Sequence, residues 1–473
     1  MSDTLAVDRD TRVAASRAAR RAEEIPPPVR PLRDATRTFV IGLVVIALVA
    51  LAIRLYFVLV GYDYYRIGGD AIYYHRQAWT VADGNWFIDP LRFASSHGRV
   101  RAPAAANPPL YTLYLAVVSR LGFWSVTAHR VASTFLGTGA VIGIGLTGRK
   151  VVNERVGLIA AAIAAVYANL WINDGMLLSE SMAALTVAFL LLAAYTFWFR
   201  PTTRNAILLG VAFGLAANSR SEILFIGPLV AVFLLWGMRR RLGLARCFRL
   251  LVVTGLVMAA LIAPWVIYNL SRFQKPVYMS DSYGSVLSAA SCDQTYHGKY
   301  EGWYFNCHDV IGRKGTIPGD ASERDAVVRH EAVTYIKHHL NRLPVVMAAR
   351  VGRLWGVWRP RQTEWFEAEI EGRTLLASRL AADTTWVLVP LAIAGLVIFK
   401  RRGLPISPIV VPIVVVTASA AMTFGVLRYR VSAEPGIVIA GATTIEAVVA
   451  GLVARRRARR DDTPATPGPA VAR

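Results

Sequence analysis

Charge is scarce along this chain of 473 residues: Asp, Glu, Lys and Arg together make 18% of it, and only six of its 53 basic residues are lysine. Soluble domains carry about a quarter of their residues as charged groups. With 55% hydrophobic residues and a positive mean hydropathy, most of this chain has lipid as its solvent. Motifs for common chemistry are missing too. There is no glycine-rich phosphate loop, no dinucleotide fingerprint and no HExxH, and His338 and His339 are adjacent rather than a helical turn apart. These absences argue against a nucleotide-binding enzyme and against a helical zinc site.

What is present is a series of long apolar runs. The stretches 38–60, 248–269 and 405–424 are each long enough to cross about 30 Å of hydrocarbon at about 1.5 Å per residue. Each is expected to be helical, because backbone groups left unpaired in lipid cost several kcal/mol. The net charge of +22 would suggest a nucleic-acid partner in a soluble protein. Here the arginines gather in the tails and in short connections, the signature of cytoplasmic loops, and no nucleic-acid partner is expected.

Placing the basic connections 148–155, 200–204, 239–249 and 400–402 inside orients every span. The expected spans are 38–60, 126–147, 156–172, 181–199, 205–218, 222–237, 248–269, 384–399, 405–425 and 434–453. The chain is thus expected to be an all-α polytopic membrane protein of about ten helices, with both termini cytoplasmic and juxtamembrane helices in two outer loops. The segment 108–124 reads as re-entrant or surface-lying, since counting it as a span would put Arg149, Lys150 and Arg155 outside. As a span it would make eleven. The expected organisation is a basic disordered tail, 1–37, a transmembrane domain, 38–453, with outer loops 61–107 and 270–383, and a second basic tail, 454–473. The first apolar run is too long, and its leading tail too extended, for a signal peptide. Arginine in place of lysine points to a GC-rich bacterial genome, and so to a plasma membrane. Cys292 and Cys307 fall in the second outer loop and Cys247 in an inner one. An oxidising exterior would permit a Cys292–Cys307 disulfide, and the alternative is three free thiols.

The first outer loop is dense in Tyr, Trp, Asp and His, residues that suit the headgroup boundary and whose rings can also stack on sugars. Asp70 stands out, preceded by Gly68 and Gly69 and followed within a helical turn by Tyr73, Tyr74 and His75. A carboxylate there can take a proton from an attacking hydroxyl. It can equally cap a helix N-terminus. In the second loop, 325–340 and 343–358 have helical spacing, and Arg350 and Arg353 can snorkel to lipid phosphate, the alternative being a juxtamembrane helix with no ligand. Further outer-face charge comes from Asp174 and Glu180, from Arg220 and Glu222, and from Arg428, Arg430 and Glu434. Arginines on the outer side run against the topology bias, which makes Arg220, Arg428 and Arg430 candidate ligands for an anion.

GGDAIYYHRQA (68–78), ANPPLY (106–111), LLSES (177–181), NSRSEILFIGP (218–228), APWVIYN (263–269) and RYRVSAEP (428–435), in that order, resemble the GT-C membrane glycosyltransferases. The likeness is to the family 39 group of protein O-mannosyltransferases and lipid A aminoarabinose transferases. The resemblance implies a polyprenyl-phosphate-sugar donor, a hydroxyl-bearing acceptor (lipid, glycan or protein) and inverting transfer on the outer face of the membrane. It makes Asp70 the base and Glu180 the second acidic residue. Arg428 or Arg430 would meet the departing phosphate, Tyr73, Tyr74 and Trp86 would pack on sugar, and His75, Arg220 and Glu222 would complete the substrate site. Two departures bear on cofactor and acceptor: Ala71 follows Asp70 where the family often has a second acidic residue, and Asn107 replaces a His before the proline pair. The expectation is no cofactor, with a divalent cation shared by Asp70 and Glu180 as the alternative. Two other classes fit the same loops: a transporter or flippase of a lipid-linked glycan, which would show inverted repeats and ionisable residues at mid-membrane depth, and a non-catalytic envelope scaffold.

Overall fold

The computed structural model describes residues 35–61, 68–307 and 317–461, with side chains as far as 456. Nearly all of the expected N-terminal tail, the YDYYRI stretch of the first loop and the final residues lie outside it. Nineteen α-helices carry the described chain. The apolar ones are α1 (Arg37–Tyr56), α5 (Val126–Val151), α6 (Glu154–Val166), α7 (Ala168–Met176), α8 (Glu180–Phe199), α9 (Thr203–Ala217), α10 (Ile223–Leu242), α11 (Leu244–Leu270), α17 (Leu375–Arg401), α18 (Ser407–Met422) and α19 (Glu434–Asp461). Among the described residues, seven helices are long and apolar enough to cross a membrane. An eighth span forms if α6 and α7, bent by 47° at Tyr167, count as one. With the shorter apolar α9 and α18, each of the ten expected segments is met by a helix. The chain is an all-helical, multi-pass membrane protein.

Small residues let the spans approach closely. A methyl group on Gly157 of α6 would sit 2.6 Å from the Gly145 carbonyl oxygen of α5, and one on Gly210 of α9 the same distance from Thr254 O of α11. The helices α17 and α19 meet in the same way at Gly395. Three boundaries differ from the sequence reading. The 108–124 segment is helical only over α4 (Pro109–Arg120), 12 residues or about 18 Å, short of the hydrocarbon thickness. The span α17 starts at Leu375, inside the stretch assigned to the second loop, and α19 continues to Asp461 through residues assigned to the tail.

The remaining helices, α2 (Gly69–Ala82), α3 (Pro90–Ser95), α12 (Tyr283–Ala289), α13 (Asp293–Tyr296), α14 (Ala321–His338), α15 (Leu343–Leu354) and α16 (Pro360–Glu369), belong with α4 to the two loops. Cys292 and Cys307 are joined in a disulfide, and Cys247 is free and buried. Contrary to expectation, Arg350 and Arg353 do not reach for lipid. Both are buried: Arg350 donates to the Ala290 and Ala421 carbonyls at 2.6 and 3.1 Å, and Arg353 to the Glu301 carbonyl at 2.6 Å. Loop carbonyls that lack a helical partner need donors once buried, and guanidinium groups supply them.

Candidate active site

Two glycines start α2. Gly68 takes the N-cap in an extended conformation and Gly69 has φ of +52°, a value that suits glycine. Asp70 therefore lies in the first turn and is not the cap, and its carboxylate makes no capping hydrogen bond. It reaches instead across to Arg428, on the 3-10 turn Leu427–Ser432 that links α18 to α19, at 2.9 Å. The helix N-terminus still favours the negative charge there.

Arg428 is the centre of a charged cluster drawn from five separate elements. Its Nη2 meets Asp70, its Nε meets Glu371 at 3.0 Å, and its Nη1 faces Glu180 at 3.6 Å. Arg220, on the turn between α9 and α10, donates to Glu180 at 2.6 Å and to Glu222, and stacks over the Tyr429 ring at 5.1 Å. Burial works against the charge on Arg428, but Glu371, Asp70 and Glu180 raise its pKa well above the ordinary guanidinium value. The carboxylates differ in exposure: Asp70 is 51% exposed, Glu371 6% and Glu180 1%. Beside them opens a cavity of about 570 Å³, with Asp70, Glu371 and Arg428 in its wall together with the rings of Tyr304, Phe424 and Tyr429.

Of the residues singled out in the sequence, Asp70, Glu180, Arg220, Glu222 and Arg428 come together here. Tyr74 packs just behind, buried and edge-on to Tyr111 at 5.1 Å. Burial, with the charges of Asp70 and Glu180, keeps its phenol protonated despite a hydrogen bond from Ser179. The others lie elsewhere. Tyr73 is set against Asp281 and Asp89. His75 is buried against His129, with 3.2 Å between their Nδ1 atoms, and burial together with Arg76 and Arg130 pushes it down to about 4. Trp86 lines a separate apolar groove. Arg430 points away from the cavity, bound to Glu434, to Thr385 at 2.7 Å and to the Leu354 carbonyl at 3.0 Å.

Glu371 and Tyr304 were missed. A trace was present: EWFEAEIE puts four glutamates into residues 364–371 of a chain with only 31 acidic residues. A divalent cation would have to use Asp70 and Glu180, and the donor set does not fit one. Arginine already engages both carboxylates, and among the described residues no group of three or more His, Cys, Asp or Glu is spaced to hold a metal ion.

The model of the family described as dolichyl-phosphate-mannose-protein mannosyltransferase matches residues 106–268. Among solved structures, the oligosaccharyltransferase of Archaeoglobus fulgidus in complex with Zn and sulfate superposes with a TM-score of 0.50 at 15% identity, over 88% of this chain and 50% of that one. The Archaeoglobus fulgidus AglB complex with an inhibitory peptide and a dolichol-phosphate gives 0.49 at 16%, over 91% and 52%. ArnT from Cupriavidus metallidurans bound to undecaprenyl phosphate gives 0.33 at 15%, over 92% and 82%. The chain spans about half the length of the oligosaccharyltransferase. The search of the curated proteins gave no match.

Proposed function

We propose that the chain, which resembles the GT-C membrane glycosyltransferases in its ordered motifs and superposes on an oligosaccharyltransferase, transfers a sugar from a polyprenyl-phosphate donor to a hydroxyl acceptor. Transfer is inverting and takes place on the outer face of a bacterial plasma membrane, with both termini in the cytoplasm. The acceptor is a lipid, a glycan or a protein. One domain, 38–453, carries the activity between two basic tails.

The observation behind this reading is the cavity beside Asp70 and Arg428, which offers an accessible carboxylate and a mostly buried guanidinium side by side. The acceptor hydroxyl gives its proton to an Asp70 carboxylate oxygen as its own oxygen bonds the anomeric carbon from the face opposite the phosphate. The bond from that carbon to the phosphate oxygen breaks, and its electron pair leaves with the polyprenyl phosphate. Arg428, with Arg220 behind it, meets the charge that develops there by charge-assisted hydrogen bonds. Arg430 takes no part, since Glu434 holds it away from the cavity. Tyr304, Phe424 and Tyr429 offer ring faces to the sugar. Glu180 orients the two arginines.

An apolar groove of about 430 Å³, walled by Trp86, Leu110, Leu113, Leu215, Leu261 and Trp265, suits an isoprenoid chain. Its Leu110 N–H bonds the Asn218 carbonyl at 3.0 Å, next to the turn that carries Arg220, so a chain lying there would deliver its phosphate toward the charged cluster. The test is consumption of labelled undecaprenyl-phosphate monosaccharides by the purified protein in nanodiscs. Asp70→Asn is expected to lower kcat by at least about a hundredfold, the usual scale for a general base. A variant that turns over at the wild-type rate would sink the assignment.

A further inference from the structure

Three carboxylates compete for Arg428, and the surroundings of each are different. Glu180 has Arg220 as a closer partner, at 2.6 Å against 3.6 Å. Glu371 is held at both oxygens: Oε2 by Arg428 and Oε1 by the Tyr304 hydroxyl at 2.7 Å. Burial, with the Glu371 charge, raises the Tyr304 pKa, so this hydroxyl stays a donor. Tyr304 in turn stacks on Trp303 at 5.5 Å, inside the loop closed by the Cys292–Cys307 disulfide, and Trp303 is fully buried. The turn carrying Arg428 is pinned from the same side. Gly425 N donates to the Gly302 carbonyl at 3.0 Å, and Leu427 N to Glu367 at 2.7 Å. Asp70 alone is unconfined. It is half exposed, it follows two glycines with open space around them, and among the described residues its carboxylate pairs with Arg428 alone.

We infer that Glu371, fixed by Tyr304, is a positioning residue that clamps Arg428 from the buried side, so that an arriving phosphate displaces Asp70 and leaves the other carboxylates in place. The inference rests on the transfer reaction proposed above and names a control on it. While the site is empty, the Asp70 carboxylate is engaged by Arg428 and is not free to meet an acceptor hydroxyl. When the donor phosphate takes its place on Arg428, Asp70 is released into the cavity as a competent base. Binding of the donor and activation of the base become one event, and Asp70 is spared from pairing with Arg428 at the moment it must accept a proton. A clamp is needed for this, because an unanchored guanidinium would follow Asp70 instead of staying to meet the phosphate.

The exchange leaves a kinetic signature. A guanidinium that follows Asp70 meets the donor phosphate less well in the ground state and in the transition state, so donor KM and kcat change together when the clamp is loosened. The experiment measures both for the full chain in nanodiscs, with the undecaprenyl-phosphate monosaccharide that the wild type consumes, beside Glu371→Gln, Glu371→Asp and Tyr304→Phe. In Glu371→Gln donor KM is expected to rise several-fold and kcat to fall about tenfold or more. Tyr304→Phe should move both in the same direction by less, and Glu371→Asp should restore most of the rate. Glu371→Gln with KM and kcat both within twofold of the wild type overturns the inference and leaves the transfer reaction standing. So does a loss of rate with unmoved KM and no rescue by Glu371→Asp, which marks a merely structural role. A wild type that consumes none of the donors removes the parent reading, and the inference with it.

Discussion

Arg428 and Arg430 are two residues apart on one turn, yet only the first reaches the cavity. On a 3-10 turn of about three residues per turn they point to different sides, Arg428 to the cavity and Arg430 to the buried Glu434. Their substitutions should therefore fail differently. Arg428→Met removes the counter-charge of Glu371, which is almost buried, and half of that of Glu180. It is expected to cost about 3–5 kcal/mol of stability, as when one partner of a buried ion pair is deleted. Asp70→Asn removes a half-exposed carboxylate and should leave thermal unfolding in detergent close to the wild type. If the two variants melt alike, the ranking of the carboxylates by burial is wrong. Asp70, Glu180, Arg220 and Arg428 stand out in the sequence because charge in loops assigned to the outer face has few structural reasons to exist, and the fold brings the four together. Glu371 does not stand out, because its role depends on a contact with Arg428 across 57 residues of chain that no local pattern announces.

At the scale of elements, the helices were legible where apolar length is their cause and less so where tertiary contacts set their ends. The bend between α6 and α7 is one such place. Beyond it Asp174 of α7 meets Arg54 of α1 at 3.0 Å, both fully buried, and Ser181 donates to the other Asp174 oxygen at 2.5 Å. Gly137 of α5 makes the room, since a methyl group there would collide with the carboxylate. An ionisable pair inside the bundle is what a transporter would also show, but this one is closed in by its neighbours and lines neither cavity. It works as a joint between α1 and α7. Asp174→Asn alone is expected to destabilise by about 3–5 kcal/mol, and pairing it with Arg54→Met to recover a good part of that, in a double-mutant cycle of detergent unfolding.

The helix α2 has a joint of its own in His75, which the sequence placed with the substrate and the fold places in the packing. Its ring faces His129 of α5 and Trp79, with the cations Arg76 and Arg130 nearby. Burial and those cations lower its pKa from 6.5 to about 4, so the fold favours the neutral ring. The sign follows: its contribution is complete above 6.5 and is lost as pH falls from there through about 4. Melting temperature should drop across this window, and the slope should be shallower in His75→Gln, which cannot acquire the charge. Equal slopes would mean that His75 carries none of the acid sensitivity.

For the whole molecule, the multi-pass character was legible from apolar length, and the orientation is an assignment that rests on the summed placement of many arginines and not on any one of them. The disulfide agrees with it. Cys292 and Cys307 are bonded in the loop assigned to the oxidising side, and Cys247, in the first turn of α11 at the end assigned to the cytoplasm, stays a thiol. The charged cluster, the cavity and the disulfide loop all hang from the ends of spans that this assignment turns outward, so the proposed reaction stands or falls with the orientation. Two exposed positions on opposite sides decide it. Lys337 lies on α14 in the second loop, and Arg402 follows α17 in a connection assigned to the cytoplasm. In intact spheroplasts a membrane-impermeant maleimide is expected to label Lys337→Cys directly and Arg402→Cys only after lysis, while the native disulfide and the buried Cys247 stay unreactive. The opposite pattern would turn the cavity toward the cytoplasm and remove the case for transfer on the outer face.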